Sequence, residues 1–273
     1  MRRLFASPTV TAAFVVMIGL CAVALLAPLL SPRNPLVMDF RAQLSPPSRT
    51  FLLGADSFGR DVLSRLVYGA RISLGISLAS VLSAVAIGVP LGCVAGYIGG
   101  LTDEVLMNVA DGLLSLPPLI IAVALVGILG PNVQNVVFAL TVVYAPRFAR
   151  LSRATVLSLR DQDFVQAVRA LGAGDGRILV RHLVPNAVAP LLVLTTVTFG
   201  QALTAESGLS FLGLGAQPPT PTWGSMLSES WKFIQQAPWL PIFPGVTIML
   251  AVLSLNVLGD GVRDAIDPKL RGR

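Results

Sequence analysis

The polar stretch richest in usable chemistry runs from Asp161 to Asn186, DQDFVQAVRALGAGDGRILVRHLVPN. Phe164, Val165, Val168 and Leu171 recur at helical spacing as one apolar face. Asp161 and Asp163 stand at the positive end of that predicted helix, and Gly172 can stop it. Asp175 is placed to cap a second short helix that carries Ile178, Leu179 and Leu183 and ends at Pro185. The chemistry on offer is docking rather than bond-making. A helix–Gly–helix unit can seat in a groove of another protein while staying attached to its flanking segments, as mechanical coupling requires. An ordinary surface loop with two amphipathic turns fits the same periodicity.

Catalytic and metal chemistry lack their parts. His182 is the single histidine and sits among Arg177 and Arg181, where an interface contact is its expected role. With no second histidine and no thiol cluster, a histidine-rich metal site and a Ser-His-Asp centre are both excluded. Cys21 and Cys93 fall in apolar runs without C-x-x-C spacing, so they read as small lipid- or helix-facing residues. A G-x-x-x-x-G-K-[ST] phosphate loop is absent, so the chain supplies no nucleotide site. Asp111 and Glu206 lie within apolar runs, where an acid at the bilayer centre costs about 2.5–3.5 kcal/mol, so each must face protein or water. For Asp111 a helix cap or interhelical hydrogen bond competes with a substrate-pathway role. Glu206, Asn108 and Asn256 pose the same choice.

These residues must be held by a bundle in lipid. Apolar residues make up 54% of the chain and charged residues 12%, with a mean hydropathy of +0.76, too little polar surface to clothe a soluble globule of 28.7 kDa. Candidate spans are Val10–Leu30, Ile72–Ile98, Val105–Leu129, Val133–Ala149, Pro185–Leu214 and Leu240–Leu258. A hydrocarbon core of about 30 Å needs about 20 helical residues, which most of these supply. The first run follows Arg2 and Arg3 but is longer than a cleavable signal core, so it reads as an anchor. Prolines and glycines inside the runs, among them Gly88, Pro90, Gly92, Pro117, Pro118 and Pro190, are tolerable in lipid and allow close or bent crossings.

The net charge of +6 could suggest nucleic acid, but the arginines cluster between apolar runs and therefore report topology. A cytoplasmic N-terminus puts Arg2, Arg3, seven arginines from Arg147 to Arg181, and Arg263, Lys269, Arg271 and Arg273 inside, thirteen in all. Six arginines from Arg33 to Arg71 and Lys232 then lie outside. Within that outer stretch, Phe58, Val62, Leu63, Leu66 and Val67 recur opposite Arg60, Asp61 and Arg65. They predict a short amphipathic helix over Phe58–Tyr68, either membrane-apposed or solvated. The expected organisation is an anchor and periplasmic segment over 1–71 and a core over 72–273, with a loop at about 150–185.

In the Asp161–Asn186 stretch, Gln166-Ala167-Val168, Gly172 and Val184-Pro185 follow a spacing that resembles the hallmark of ABC-importer inner-membrane permeases: Glu-Ala-Ala, three residues, Gly, then Leu-Pro thirteen residues after the Gly. Gln166, Val168 and Val184 depart from it. Loss of the carboxylate at Gln166 puts an ion pair with the ATPase in doubt and leaves the helix–Gly–helix geometry intact. The resemblance extends through LGADSFGRDVLSRLVYGARISL, AGYIGG, RHLVPN, ESGLSFLGLG, PPTPTWGSML and NVLGDGVRDAIDPKL, and narrows to the shorter permease type of the dipeptide and oligopeptide branch, which includes nickel transporters.

That resemblance implies an all-α polytopic protein of six transmembrane helices, with a cytoplasmic two-helix coupling element between the fourth and fifth and both termini in the cytoplasm. It implies a second homologous permease, two cytoplasmic ATPases holding ATP and Mg, a periplasmic binding protein, and an inner-membrane location. Gln166, Ala167, Gly172, Arg181, His182 and Pro185 are the expected ATPase-coupling residues, and Asp111, Glu206 and Asn256 candidate pathway residues. Members carry dipeptides, longer peptides, glutathione, opines, sugars or nickel chelates. An ion-coupled secondary transporter is the alternative from another class; it predicts an internal repeat, and the halves show no convincing similarity.

Overall fold

The computed structural model describes residues 7–266, and those residues form helices without a named strand. Arg2, Arg3, Lys269, Arg271 and Arg273 lie outside them. Helix α1, Pro8–Leu25, begins with proline in its first turn, where the missing N–H costs nothing, and continues after a break at Leu26 into α2, Ala27–Leu30. Helix α3, Val62–Ile98, is 37 residues long and spans about 55 Å at 1.5 Å per residue, more than a hydrocarbon core requires. Asp61 caps it by accepting from the Ser64 amide at 2.8 Å.

The expected independent helix over Phe58–Tyr68 is not found. Phe58 to Asp61 precede the helix, and Val62–Tyr68 are the first turns of α3. The supposed solvent face is buried: Arg60 is 3% exposed, Asp61 4% and Arg65 1%. The charges defeat the amphipathic reading because they meet charges from far along the chain. Arg60 Nε donates to Asp56 Oδ2 at 2.6 Å, and Arg60 Nη2 to Glu229 Oε2 at 2.6 Å. Arg65 lies 3.4 Å from Asp56 and 3.2 Å from Glu229. Glu229 belongs to α10, Trp223–Trp231, so this tetrad ties the start of α3 to that helix. Beneath it, the fully buried Trp223 donates from Nε1 to the Leu66 carbonyl at 3.0 Å.

Val105–Leu129, expected as one span, is broken. Helices α4, Gly100–Leu114, and α5, Pro118–Leu129, meet at 92°, because Pro117 and Pro118 cannot continue the ladder of hydrogen bonds. Helix α6, Val133–Leu159, runs ten residues past the predicted end at Ala149, carrying Pro146 inside it. After a linker come α7, Asp163–Ala170, α8, Asp175–Ile178, a π-turn over Leu179–Leu183, α9, Val184–Phe211, then α10, and α11, Trp239–Ile266. Among the described residues four helical stretches are long and apolar enough to cross a membrane, or five if α4 and α5 form one crossing. Helix α6 falls outside that count, and its arginines at 147, 150 and 153 are the evident reason.

Helices α3 and α6 form the spine. Gly88, Gly92 and Gly96 recur every four residues along one face of α3. A Cβ built on them would stand 2.3 Å from the Ala145 carbonyl oxygen, 2.0 Å from that of Ala149 and 2.8 Å from that of Arg153. Small residues at this spacing let two backbones touch in lipid, where dispersion replaces the hydrophobic effect as the adhesive. Around the crossing, Val81, Ala84, Val136, Ala139, Leu140 and Phe148 form a core extended by Ala187, Ala202 and Leu209 of α9. A second cluster packs Met17 of α1, Leu74 of α3, Leu203 of α9, Trp223 of α10 and Leu255 of α11. Cys21 is exposed and Cys93 buried.

Gly92→Val is expected to remove folded subunit from the membrane, since backbone atoms of α6 cannot give way as a side-chain tip would. Gly75→Ala, in the same helix with nothing within 4 Å of the added carbon, should keep wild-type abundance. Fluorescence-detected size exclusion of the detergent-extracted subunits reads both. Arg65→Ala should destabilise by about 3–5 kcal/mol, the usual consequence of removing one partner from a buried charge cluster, visible as a lowered unfolding temperature in detergent.

Candidate coupling element

Helix α7 starts after Gln162, whose side-chain amide donates to the Ser158 carbonyl at 3.2 Å, and carries Asp163 in its first turn against the helix dipole. Its end is a Schellman turn: the Gly172 amide donates to the Arg169 carbonyl at 3.0 Å and the Ala173 amide to the Val168 carbonyl at 3.3 Å. Gly172 has φ +81°, a conformation glycine enters without the Cβ penalty. Nothing lies within 4 Å of where its Cβ would be, so backbone conformation alone demands glycine here, and close approach within this chain does not.

The expected single apolar face of α7 is divided. Val165 is fully buried and Val168 packs beside it, whereas Phe164 is 37% exposed and Leu171 87% exposed. Val165 meets Ile178 and Leu183, both fully buried, with Cys93 and Tyr97 of α3 and Val156 and Leu159 of α6. The element is therefore seated on the ends of α3 and α6 and presents separate apolar side chains outward, with Val180, 68% exposed, among them.

Two further expectations change. Gly174, not Asp175, is the residue preceding α8; Asp175 occupies the first turn and accepts from the Tyr97 hydroxyl at 2.5 Å. The second helix does not end at Pro185. Helical backbone is continuous from Asp175 to Phe211, and the π-turn absorbs the proline: the Val184 amide reaches back to the Leu179 carbonyl, and the Asn186 side-chain amide donates to the His182 carbonyl at 2.7 Å. Gln166, Ala167, Gly172, Arg181 and Pro185 are exposed, and His182 is half-buried.

Asp111, Glu206 and Asn256 are not brought together by any hydrogen bond among the described residues. Asp111, on α4, pairs with Arg150 of α6, an interhelical contact with both side chains about half exposed. Glu206 is fully buried on α9 and accepts from Ser210 Oγ at 2.8 Å, so it faces protein and no open passage. Asn256 is exposed on α11, its amide oxygen 3.0 Å from the position a Cβ on Gly200 would take. Sequence reasoning missed the polar row on α6: Arg147 bonds Gln201 of α9, Arg150 bonds Asp111, and Arg153 bonds Asp103. The spacing of three between these arginines, one side of a helix, was the available signal.

Long apolar helices around a glycine-stitched crossing, with an outward-facing two-helix element at one end, define a polytopic membrane protein. The chain belongs to the family of binding-protein-dependent transport system inner membrane components, matched over residues 88–272, and residues 1–47 match the N-terminal TM domain of oligopeptide transport permease C. It is 45% identical to the dipeptide transport system permease protein DppC of Alkalihalophilus pseudofirmus, over 91% of this chain and 82% of that one. It is 44% identical to the di/tripeptide transport system permease protein DppC of Pseudomonas aeruginosa, over 94% and 86%. Identity is 41% to the glutathione transport system permease protein GsiD of Pectobacterium atrosepticum, over 99% and 90%. In fold it resembles a chain of the MetNI methionine ABC transporter solved in inward facing conformations, with a TM-score of 0.61 and 21% identity, over 74% of this chain and 96% of that one. It is a permease component of an ABC transporter, and not an enzyme.

Val165→Asp should detach α7 from its seat, because an unpaired carboxylate in that apolar cluster costs several kcal/mol. Trypsin cleavage after Arg169 in membranes is expected to accelerate by at least about tenfold, with insertion of the subunit unchanged.

Proposed function

We propose that this chain forms half of the translocation pathway of an ATP-driven importer of peptides, and that Gln166–Pro185 is the contact through which the ATPases move it. The observation carrying this reading is the outward-facing helix–Gly–helix element that is seated on α3 and α6 and continuous with α9. Phe164, Leu171 and Val180 supply exposed apolar anchors, with Gln166, Arg181 and His182 as polar contacts around them. A neutral Gln166 makes docking depend on shape and apolar contact more than on a salt bridge.

In this reading α1, α3, the bent α4–α5 pair, α6, α9 and α11 make six crossings, which leaves both ends of the described chain on the cytoplasmic side. The row of arginines from Arg147 to Arg181 supports that orientation, because basic residues are retained inside. The outer side then holds the Asp56–Arg60–Arg65–Glu229 tetrad. A second homologous permease completes the pathway, a periplasmic binding protein delivers substrate, and two cytoplasmic ATPases hold ATP and Mg. Closure of the ATPase pair displaces the element, and the continuous backbone into α9 converts that displacement into alternation between inward-open and outward-open states. The relatives' names support peptides or glutathione as cargo.

Gly172→Val tests the assignment. Left-handed backbone at a β-branched residue costs on the order of 1–2 kcal/mol, confined to the turn. Membrane level should hold while ATP-dependent uptake of a labelled dipeptide and substrate-stimulated ATP hydrolysis fall together in proteoliposomes containing the whole importer. Wild-type uptake by this variant would sink the coupling assignment, and uptake that persists without the ATPases would replace it with gradient-driven transport.

A further inference from the structure

Adhesion of the Asp161–Leu183 segment to the rest of the subunit comes in three forms. Helical backbone joins it to α9, a short linker joins it to α6, and only side chains join it to α3. Most of the last are apolar: Val165 and Ile178, both fully buried, lie against Cys93 and Tyr97. Apolar contact is non-directional, so it holds two surfaces together while leaving their register soft. The hydroxyl of Tyr97, one residue from the end of α3, supplies the missing direction. It donates to Asp175 Oδ1 at 2.5 Å and accepts from Arg169 Nη2 at 3.5 Å, so one atom touches both α7 and α8. Among the described residues these are the only hydrogen bonds from the segment to α3. Immediately beside them Arg160 Nη1 donates to the Gly96 carbonyl at 2.9 Å, fixing the end of α6 to the same turn of α3.

We infer that Tyr97 is a positioning residue for energy coupling, a strut whose hydroxyl fixes the register between the two-helix element and α3 so that the element's motion is imposed on α3 and not on α9 alone. The inference rests on the reading of Gln166–Pro185 as the ATPase-docking element. A hydrogen bond with a carboxylate acceptor is stronger than a neutral one and sensitive to tenths of an ångström, which suits a part that must transmit displacement. Phenylalanine at this position keeps the ring in the apolar cluster and removes only the register.

The test uses the whole importer in proteoliposomes, with a labelled dipeptide as probe and spin labels at exposed Leu82 of α3 and exposed Ala170 of α7. In Tyr97→Phe, assembly with the ATPases should be unchanged and ATP hydrolysis should stay within about twofold. Uptake should fall about three- to tenfold, the equivalent of one hydrogen bond, so ATP consumed per dipeptide rises. Asp175→Ala, which removes the carboxylate contact and leaves that of Arg169, should lower uptake in the same direction and by no more, and the double variant should be no worse than Tyr97→Phe alone, because the tyrosine hydroxyl makes both contacts. The label distance should broaden on vanadate trapping in the variants and stay narrow in the parent. Unchanged ATP per dipeptide, additive losses or an unbroadened distance would each overturn the strut. If Gly172→Val is defective while Tyr97→Phe matches wild type, only the strut fails; if Gly172→Val is normal, the docking reading fails with it. Should the parent complex import no dipeptide, the distance measurement alone decides.

Discussion

Helices α3 and α6 meet backbone to backbone, and most of the subunit is arranged by that contact. Gly88, Gly92 and Gly96 leave no room for any side chain opposite Ala145, Ala149 and Arg153. Neither helix can slide or rotate by one residue without driving a Cβ into a carbonyl. Helix α9 packs on the pair near Ala187, Ala202 and Leu209, and α1, α10 and α11 gather around Trp223. The bent α4–α5 pair and the two-helix element, by contrast, meet this spine through side chains.

The two ends of α3 are secured by opposite physics. At its start, Arg60, Arg65 and Asp56 are withdrawn from solvent and Glu229 is partly so, which leaves their attractions weakly screened, and breaking any one strands its partners. At its far end the cluster around Cys93 and Tyr97 is apolar with one polar strut. A charge lattice resists separation in any direction, whereas an apolar seat resists separation but not rotation, so that the register at this end falls to the polar contacts of Tyr97. Under the proposed coupling, that contrast makes one end of the same 37-residue helix the anchored end and the other the driven one.

Much of this was legible from residue order. The apolar runs located most of the helices, the proline pair at 117 and 118 marks a break inside a run whose composition reads as continuous, and the Asp161–Asn186 pattern pointed to α7 and the glycine turn that ends it, whereas its second short helix is the start of a continuous one. What periodicity could not reveal were partners distant in sequence. Arg60 and Arg65 have an amphipathic repeat that suggests a surface helix, and only Glu229, 164 residues beyond Arg65, turns them into a core. Val165 and Leu171 are equally apolar at helical spacing, yet one faces α3 and the other faces outward. Local pattern defines a stripe, and which part of the stripe is covered depends on what the chain brings alongside. Pro185 suggests a helix end because proline lacks an N–H, but one π-turn reroutes the bonding and the helix continues.

The polar row on α6 sets how α4 sits beside the spine. Asp103 and Asp111 meet Arg153 and Arg150, two rungs on the same side of α6, and the Asp111 rung is about half exposed. Exposed pairs of this kind contribute only about 0–1 kcal/mol, too little to weld two helices, yet their loss inside a bilayer would leave charges that lipid cannot solvate. Helix α4 is thus held close to α6 by the cost of leaving and only weakly by the strength of staying. The 92° break at Pro117 and Pro118 separates α4, held by this polar row, from α5, which packs through Ala122 and Val126 in the central core.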